Sequence, residues 1–429
     1  MAVLVLGGYG LIGQAVVARL LSDGVAVIGS GRRIAAARAR WPGAAWREAD
    51  LARLTTPQAW APLLADVDVV VNAAGLLQPG LGDDAAGLQQ TAMPALYAQA
   101  AASGVRRIVQ VSAAGVGPDA PTAFMRHKAA ADAALLASGV EAVVLRPGLV
   151  VSPTAYGGTA MLRGLAAMPG ITPLVHARSL VQTVAIDDVA EAAAAAVAGR
   201  IPAGAVIDLV ELQPRTLAET VGLFRGWLGL PPAWQPALPA AAGTAISAVA
   251  YALGWLGWRS PLRSTSMQVI RGGVTGDGQA AERALGRPLR TLPQTLAALP
   301  SGVQERWFAR LWLLKAPVLA VLSVFWLASG IVTLVDPARA VAAGAAYGAT
   351  PPTAAVLAGA ALDIALGLAV LIRPVAGLAL KGMILTTLVY VGIGTVTAPG
   401  LWLDPLGPLV KVFPALVLAL VALATLDDR

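Results

Sequence analysis

Residues 2–13 read Ala2-Val3-Leu4-Val5-Leu6-Gly7-Gly8-Tyr9-Gly10-Leu11-Ile12-Gly13. A short apolar run closed by glycines has the form of a buried strand. From Leu11 to Leu21 apolar side chains recur at helical spacing. The glycines therefore occupy a strand-to-helix turn. Gly7, Gly10 and Gly13 form a Gly-x-x-Gly-x-x-Gly pattern. Glycine there permits a tight turn and lets the backbone approach a pyrophosphate, which faces the free N–H groups of the helix start. Tyr9, Leu11 and Ile12 belong to the same loop and first turn, so they join the three glycines as candidate cofactor contacts. A glycine-rich turn that binds nothing has the same local pattern. The position behind a first strand and before a helix favours the nucleotide reading.

The same alternation continues outward. Apolar strands are expected at Val25–Ile28, Val67–Val71, Ile108–Val111 and Ala142–Leu145, with a third strand closing at Glu48-Ala49-Asp50-Leu51. Alanine-rich helices are expected between them, at Ala85–Ala102 and Ala129–Ala137. Strands alternating with helices predict a doubly wound α/β domain, its parallel sheet covered on both faces. Past Pro147 the alternation loosens, with one more strand at Val206–Val210 and a helix at Leu217–Leu228.

The end of the second strand selects among dinucleotides. An acid there receives the ribose 2′-hydroxyl of NAD, whereas an arginine accommodates the 2′-phosphate of NADP. The chain reads Ile28-Gly29-Ser30-Gly31-Arg32-Arg33, without an acid. NADP(H) is expected ahead of NAD(H), with Arg32 and Arg33 as the contacts. The alternative is that these arginines only begin a solvated helix. Asp50 could receive an adenine amino group or cap a helix.

Composition bounds the rest. Of 429 residues, 57% are hydrophobic and 13% charged, against about 25% charged in soluble domains. There is no cysteine, which excludes thiol catalysis and cysteine-ligated zinc, and only two histidines, His127 and His176. The net charge of +7 has no basic run with interleaved aromatics, so no nucleic-acid partner is expected. Arginines at the inner face of a membrane account for it.

From Leu311 four apolar stretches follow, at Leu311–Val335, Ala354–Ile372, Leu378–Ala398 and Leu406–Leu426. Each approaches the roughly 20 residues a bilayer requires. An all-α bundle of four transmembrane helices is expected. Arg306, Arg310, Arg373, Lys381 and Arg429 fall on one side and Arg339 on the other, which places both termini in the cytoplasm. The start of the chain lacks the basic flank of a signal peptide, in agreement with a cytoplasmic first domain. Ala240–Trp258 is uncharged and long enough to span. Spanning would put the arginine-rich stretch Arg259–Arg310 outside, so a buried or interfacial helix is expected there. Asp363 and Lys411 lie within predicted spans, where a mutual ion pair is expected ahead of a redox or proton-relay site.

The glycine motif, Asp50-Leu51, Asn72-Ala73-Ala74-Gly75, Ser112, and Arg146-Pro147-Gly148 together resemble the short-chain dehydrogenase/reductase family. The extended and atypical members are the most similar, including those related to the nucleotide-binding accessory subunit of respiratory complex I. The resemblance covers about residues 1–215 in motif detail and extends loosely to about 300. It implies a Rossmann fold and cofactor contacts from Asp50, Leu51, Ala73, Ala74, Gly75, Pro147 and Gly148. The tail resembles the DoxX-like membrane domain, including its late Gly407-Pro408-Leu409-Val410-Lys411.

The family's signature is Tyr-x-x-x-Lys on a helix, where lysine binds the nicotinamide ribose and lowers the tyrosine pKa for proton exchange. The matching segment here is Phe124-Met125-Arg126-His127-Lys128. Lys128 is retained and the phenol is absent. Lys128 is the only lysine before Lys315, which favours a ribose contact over a surface lysine. Ser112 matches the family's substrate-orienting serine, with a turn or cap role as the alternative. His127 points about 100° away from Lys128 around a helix.

The expected organisation is an NADP(H)-binding domain at residues 1–215, a substrate-domain extension at 216–305, and a DoxX-like membrane domain at 306–429. The expected protein is a multi-pass inner-membrane oxidoreductase acting at the cytoplasmic face on a quinone or lipid. The alternative is a non-catalytic nucleotide-holding module that serves a membrane complex.

Overall fold

The computed structural model describes residues 1–75, 87–258, 260–346, 348 and 351–427. Ala85, at the start of one expected helix, lies outside them, as do Arg259 and Arg429 of the expected charge pattern. The chain forms two compact units. One comprises Met1–Tyr251 with Ser260–Ala309, the other Ala252–Arg259 with Arg310–Arg429.

The first unit is built on a parallel sheet of seven strands. These are β1 (Ala2–Leu6), β2 (Ala26–Gly31), β3 (Ala45–Glu48), β4 (Val69–Asn72), β5 (Arg107–Val111), β6 (Glu141–Pro147) and β7 (Val206–Leu209). Their order across the sheet is β7-β6-β5-β4-β1-β2-β3. Every pairing is parallel, with Val3 opposite Val27 on one side and Val69 on the other. The order reverses at β1, so the crevice between the C-terminal ends of β1 and β4 is the switch point at which doubly wound sheets bind ligands.

Side chains of successive strand residues leave opposite faces. Val3 and Val5 pack with Val16, Leu20 and Val189 on one side, and Leu4 and Leu6 with Trp60, Leu96 and Tyr97 on the other. Val3, Leu4, Val5 and Leu6 are fully buried, each contributing about 1.5–3 kcal/mol. This two-sided burial is why the strands read as continuous apolar runs rather than alternating ones.

A second core in the same unit gathers Leu162, Val181, Phe224 and Leu292. The helix Leu217–Trp227 starts there at a capping box, in which Thr216 and Glu219 satisfy each other's backbone N–H groups. The Thr216 backbone N–H and hydroxyl donate to Glu219 on that cap and hold its carboxyl below its ordinary value.

The second unit is helical. Its helices are the part of Val303–Val335 from Arg310 onward, Pro337–Ala345, Thr353–Ala369, Arg373–Thr397 and Val412–Ala424. Val303–Val335 and Arg373–Thr397 are long and apolar enough to cross a membrane; Thr353–Ala369 and Val412–Ala424 are apolar but shorter. Close approach uses small residues. A Cβ on Gly330 would lie 2.6 Å from the Ala360 carbonyl, and one on Gly367 would lie 2.9 Å from Leu327.

Two expectations in this unit need correction. The fourth apolar stretch does not become helical at Leu406: the turns of 405–411 precede the helix, and Lys411 stands just before Val412. Among the described residues, no ion pair joins Lys411 to Asp363. The buried Asp363 accepts hydrogen bonds from Ser329 Oγ at 2.8 Å and Tyr390 OH at 3.1 Å. Gly407, with φ of +59°, turns the chain before the helix, whose N-cap is Lys411.

Candidate active site

The glycine loop leaves β1 through Gly7, whose φ of +70° requires glycine. A Cβ there would sit 3.1 Å from Ala74 Cα, and one on Gly13 would sit 2.1 Å from the Gly7 carbonyl. The helix Leu11–Ser22 thus lies directly on the loop. Gly10 is its N-cap, with no side chain bonded to the first turn. The amides of Leu11 and Ile12 precede the first intrahelical bond, from Gln14 N–H to the Gly10 carbonyl. Loop and helix start form a cradle that a Cβ would fill, with backbone donors aimed as an anion requires.

The segment after β4 closes on this cradle. Asn72 Oδ1 accepts the Ala74 N–H at 3.0 Å, and its Nδ2 donates to Gln110 at 2.9 Å. Ala73 N–H reaches the Leu6 carbonyl at 3.1 Å. Ala73 and Ala74 therefore sit against Gly7, and Gly75 follows toward Lys128. At the end of β2, Tyr9 covers the turn. Its hydroxyl accepts the Arg32 N–H at 3.2 Å, and a Cβ on Gly31 would strike its ring at 2.2 Å. The Arg32 and Arg33 side chains are exposed beyond it.

Asp50 caps no helix through its side chain. Its carboxylate is half-exposed and lies 3.4 Å from Arg53. The Leu51 side chain is buried in the core. Pro147 ends β6, where its carbonyl accepts the Ala114 N–H at 2.9 Å. Gly148 is forced by space, since a Cβ would lie 2.5 Å from the Gln182 carbonyl.

Lys128 comes from the helix Ala123–Leu136, which Thr122 caps by accepting the Met125 N–H. It is buried, and its Nζ donates to the Val111 carbonyl at 3.1 Å. A Cβ on Gly75 would meet that Nζ at 3.7 Å. The Phe124 ring centroid is 5.9 Å from it, one turn away on the same face. Burial lowers the ammonium to about 8, against the opposing pull of Asp132.

Asp132, one turn further along, is the residue that sequence reasoning missed. It is 1% exposed. It accepts from Ser112 Oγ at 2.7 Å and from Arg146 at 3.2 Å. Burial pushes its carboxyl above the ordinary range despite the Ser112 hydrogen bond and the Lys128 and Arg146 charges. The Ser112 hydroxyl is thus engaged by a buried carboxyl inside the fold. The helical spacing of Phe124, Lys128 and Asp132 was the available signal. His127 lies off this face, and the structure draws it into none of these contacts.

The sheet thus gathers Gly7 to Gly13, Arg32, Ala73 to Gly75, Ser112, Lys128 and Pro147-Gly148 at the C-terminal ends of β1, β2, β4, β5 and β6. Residues 7–199 match the NAD(P)H-binding family, and residues 323–420 match the DoxX-like family. The chain carries an NAD(P)-binding Rossmann domain over the first match and a DoxX-like domain over the second.

No curated protein sequence matches this chain. Solved structures share the fold of the Rossmann part at low identity. An NADPH-dependent quinone oxidoreductase from Escherichia coli is 19% identical, with 69% of this chain and 98% of that chain covered at a TM-score of 0.53. A triphenylmethane reductase from Citrobacter sp., complexed with NADP(H), is 17% identical over 69% of this chain and 99% of that one, TM-score 0.55. A UDP-glucose 4-epimerase from Thermotoga maritima is 17% identical over 69% and 96%, TM-score 0.51.

Proposed function

We propose that this protein is a membrane-anchored, NADPH-dependent reductase of an apolar, electron-poor acceptor of the quinone class. The observation that carries the reading is Lys128, held against Gly75 with Phe124 in the place of a phenol. When bound, the dinucleotide supplies a hydride. The cradle of Gly7, Gly10 and Gly13 would hold its pyrophosphate, and Lys128 would hold the nicotinamide ribose. Arg32 and Arg33 would meet a 2′-phosphate, and no acid stands at that strand end to favour NADH.

Phe124 neither donates nor accepts a proton. A simple carbonyl becomes an alkoxide as hydride arrives and depends on a positioned acid. A quinone becomes a stabilised phenolate-type anion, which water can protonate. The side chains therefore suit an acceptor whose reduction needs no acid from the protein. Such acceptors are lipid-soluble, and the second unit suits them. The part of the first long helix within this unit, 310–335, and the helix Arg373–Thr397 extend about 39 and 37 Å, more than the roughly 30 Å hydrocarbon core. The shorter helices, with their flanking turns, complete a multi-pass bundle in the inner membrane. Arg310, Arg373 and Lys381 against Arg339 orient the Rossmann domain to the cytoplasm.

A second reading is a nucleotide-holding module without catalysis, serving a membrane complex. The engagement of Ser112 by Asp132 favours it, because this hydroxyl is no longer available to orient a substrate. Anaerobic NADPH oxidation by membranes containing the full-length protein, with added quinones or aldehydes, separates the two. Quinone-dependent oxidation that Lys128→Ala abolishes supports the reductase. Tight NADPH binding with no oxidation in either arm supports the module.

A further inference from the structure

The helix Ala240–Trp255 carries no charged side chain, and the uncharged run continues through Trp258. Its buried residues, Gly243, Ser247 and Ala250, succeed one another at i, i+4 and i+7 and share one face. That face is closely covered. A Cβ on Gly243 would lie 2.7 Å from Val175 Cγ1, and Ser247 Oγ donates to the Leu262 carbonyl at 2.9 Å. The opposite face presents Ala241, Ala245, Ala248, Ala252 and Trp255, all exposed. Val249 beside it is 63% exposed and Trp255 72%. A continuous apolar stripe without one charge is a surface that water disfavours.

The residues at the C-terminal end of the helix indicate the covering. Residues 252–258 cluster with the DoxX-like unit. There Trp258 Nε1 donates to the Leu371 carbonyl at 2.6 Å, and Arg373 N–H donates to the Leu256 carbonyl at 2.8 Å. Leu371 and Arg373 lie at the turn between the apolar helices Thr353–Ala369 and Arg373–Thr397. The Trp258 ring lies 5.6 Å from the Arg373 guanidinium and 6.0 Å from Lys315 Nζ. Tryptophan with arginine and lysine at the ends of apolar helices marks the headgroup level of a bilayer.

We propose that Ala240–Trp255 is an interfacial helix whose outer face inserts into the lipid at that level. The proposal rests on the DoxX-like unit spanning the membrane. The inner face is covered by protein at Gly243 and Ser247, so it needs no charged side chains of its own to face water. Insertion to roughly 5–10 Å below the headgroups would cover Val249 and Trp255 without crossing the bilayer.

The absence of cysteine makes the test direct. Single variants Val249→Cys, Trp255→Cys, Asp119→Cys and Leu385→Cys of the full-length protein are labelled with a fluorophore. They are placed in phosphatidylcholine/phosphatidylglycerol vesicles. Quenching is read with aqueous iodide and with lipids carrying nitroxide at shallow or deep positions. The labels at 249 and 255 are expected to be quenched most by the shallow nitroxide. They should be about threefold less accessible to iodide than the exposed Asp119 site. Iodide access equal to that at 119 overturns the proposal. So does maximal quenching by the deep nitroxide, which means a span, or protection from both quenchers, which means a protein cover. Leu385, 64% exposed on the helix Arg373–Thr397, must be quenched by lipid nitroxide. If it is not, the membrane reading itself fails and the proposal falls with it.

Discussion

Ser112 Oγ donates to Asp132 at 2.7 Å, across from the Lys128 ammonium on the next turn of the same helix. This hydrogen bond joins β5 to the helix that carries the signature lysine. It turns the serine inward and shares one buried carboxyl among Ser112, Arg146 and the field of Lys128. Removing the carboxyl would leave Arg146 and Lys128 without their counter-charge, a change that costs about 3–5 kcal/mol when a buried pair is broken.

Lys128 gives the fold a definite pH dependence. Burial lowers its ammonium to about 8, whereas an unfolded lysine titrates near 10.4. Between these values the unfolded chain holds more protons than the folded chain, so stability rises with pH across that window. The penalty is fully present below about pH 8 and amounts to at most about 3 kcal/mol. Melting of the full-length protein in detergent from about pH 7 to 10 should show this gain, and Lys128→Met should lack it. Parallel curves for the two proteins would refute the burial argument.

Nucleotide preference should depend on Arg32. Losing a charge-assisted contact of about 1.5–3 kcal/mol weakens binding roughly tenfold to a hundredfold. Arg32→Ala is therefore expected to lower NADPH affinity by that factor and leave NADH affinity nearly unchanged. Titration of both nucleotides against both proteins measures it. A wild-type preference for NADH would remove the NADP assignment.

Phe124→Tyr should restore carbonyl chemistry. The new hydroxyl would sit on the ring whose centroid is 5.9 Å from Lys128 Nζ, and the nearby positive charge would hold the phenol below its ordinary value. A positioned acid contributes on the order of a hundredfold or more. NADPH-dependent reduction of small aldehydes should rise by that order in the variant. Equal rates in the two proteins would mean that another residue already supplies the proton.

Topology has its own reporter test. Fusions after Pro300 and at the C-terminus should report the cytoplasm, and a fusion in the connection 336–352 should report the far side. A far-side signal after Pro300 would make Ala240–Trp258 a span and invert every later loop.

Local sequence pattern was enough to establish the parallel sheet, the glycine cradle and the change of composition near residue 310. Fully buried strands read as apolar runs, and a strand-to-helix turn this tight needs glycine. β1 appears as Ala2–Leu6, the stretch expected for it, and β2, β4, β5 and β6 overlap their expected positions within a few residues. Which polar side chains meet was settled by packing. Asp132 is a single acid among alanines until β5 and β6 bring Ser112 and Arg146 to it. Asp363 is partnered by Ser329 and Tyr390 from other helices, whereas Lys411 stands at the N-cap just before Val412. Partners so far apart in sequence are set by packing across strands and helices, and no periodicity along one segment encodes them.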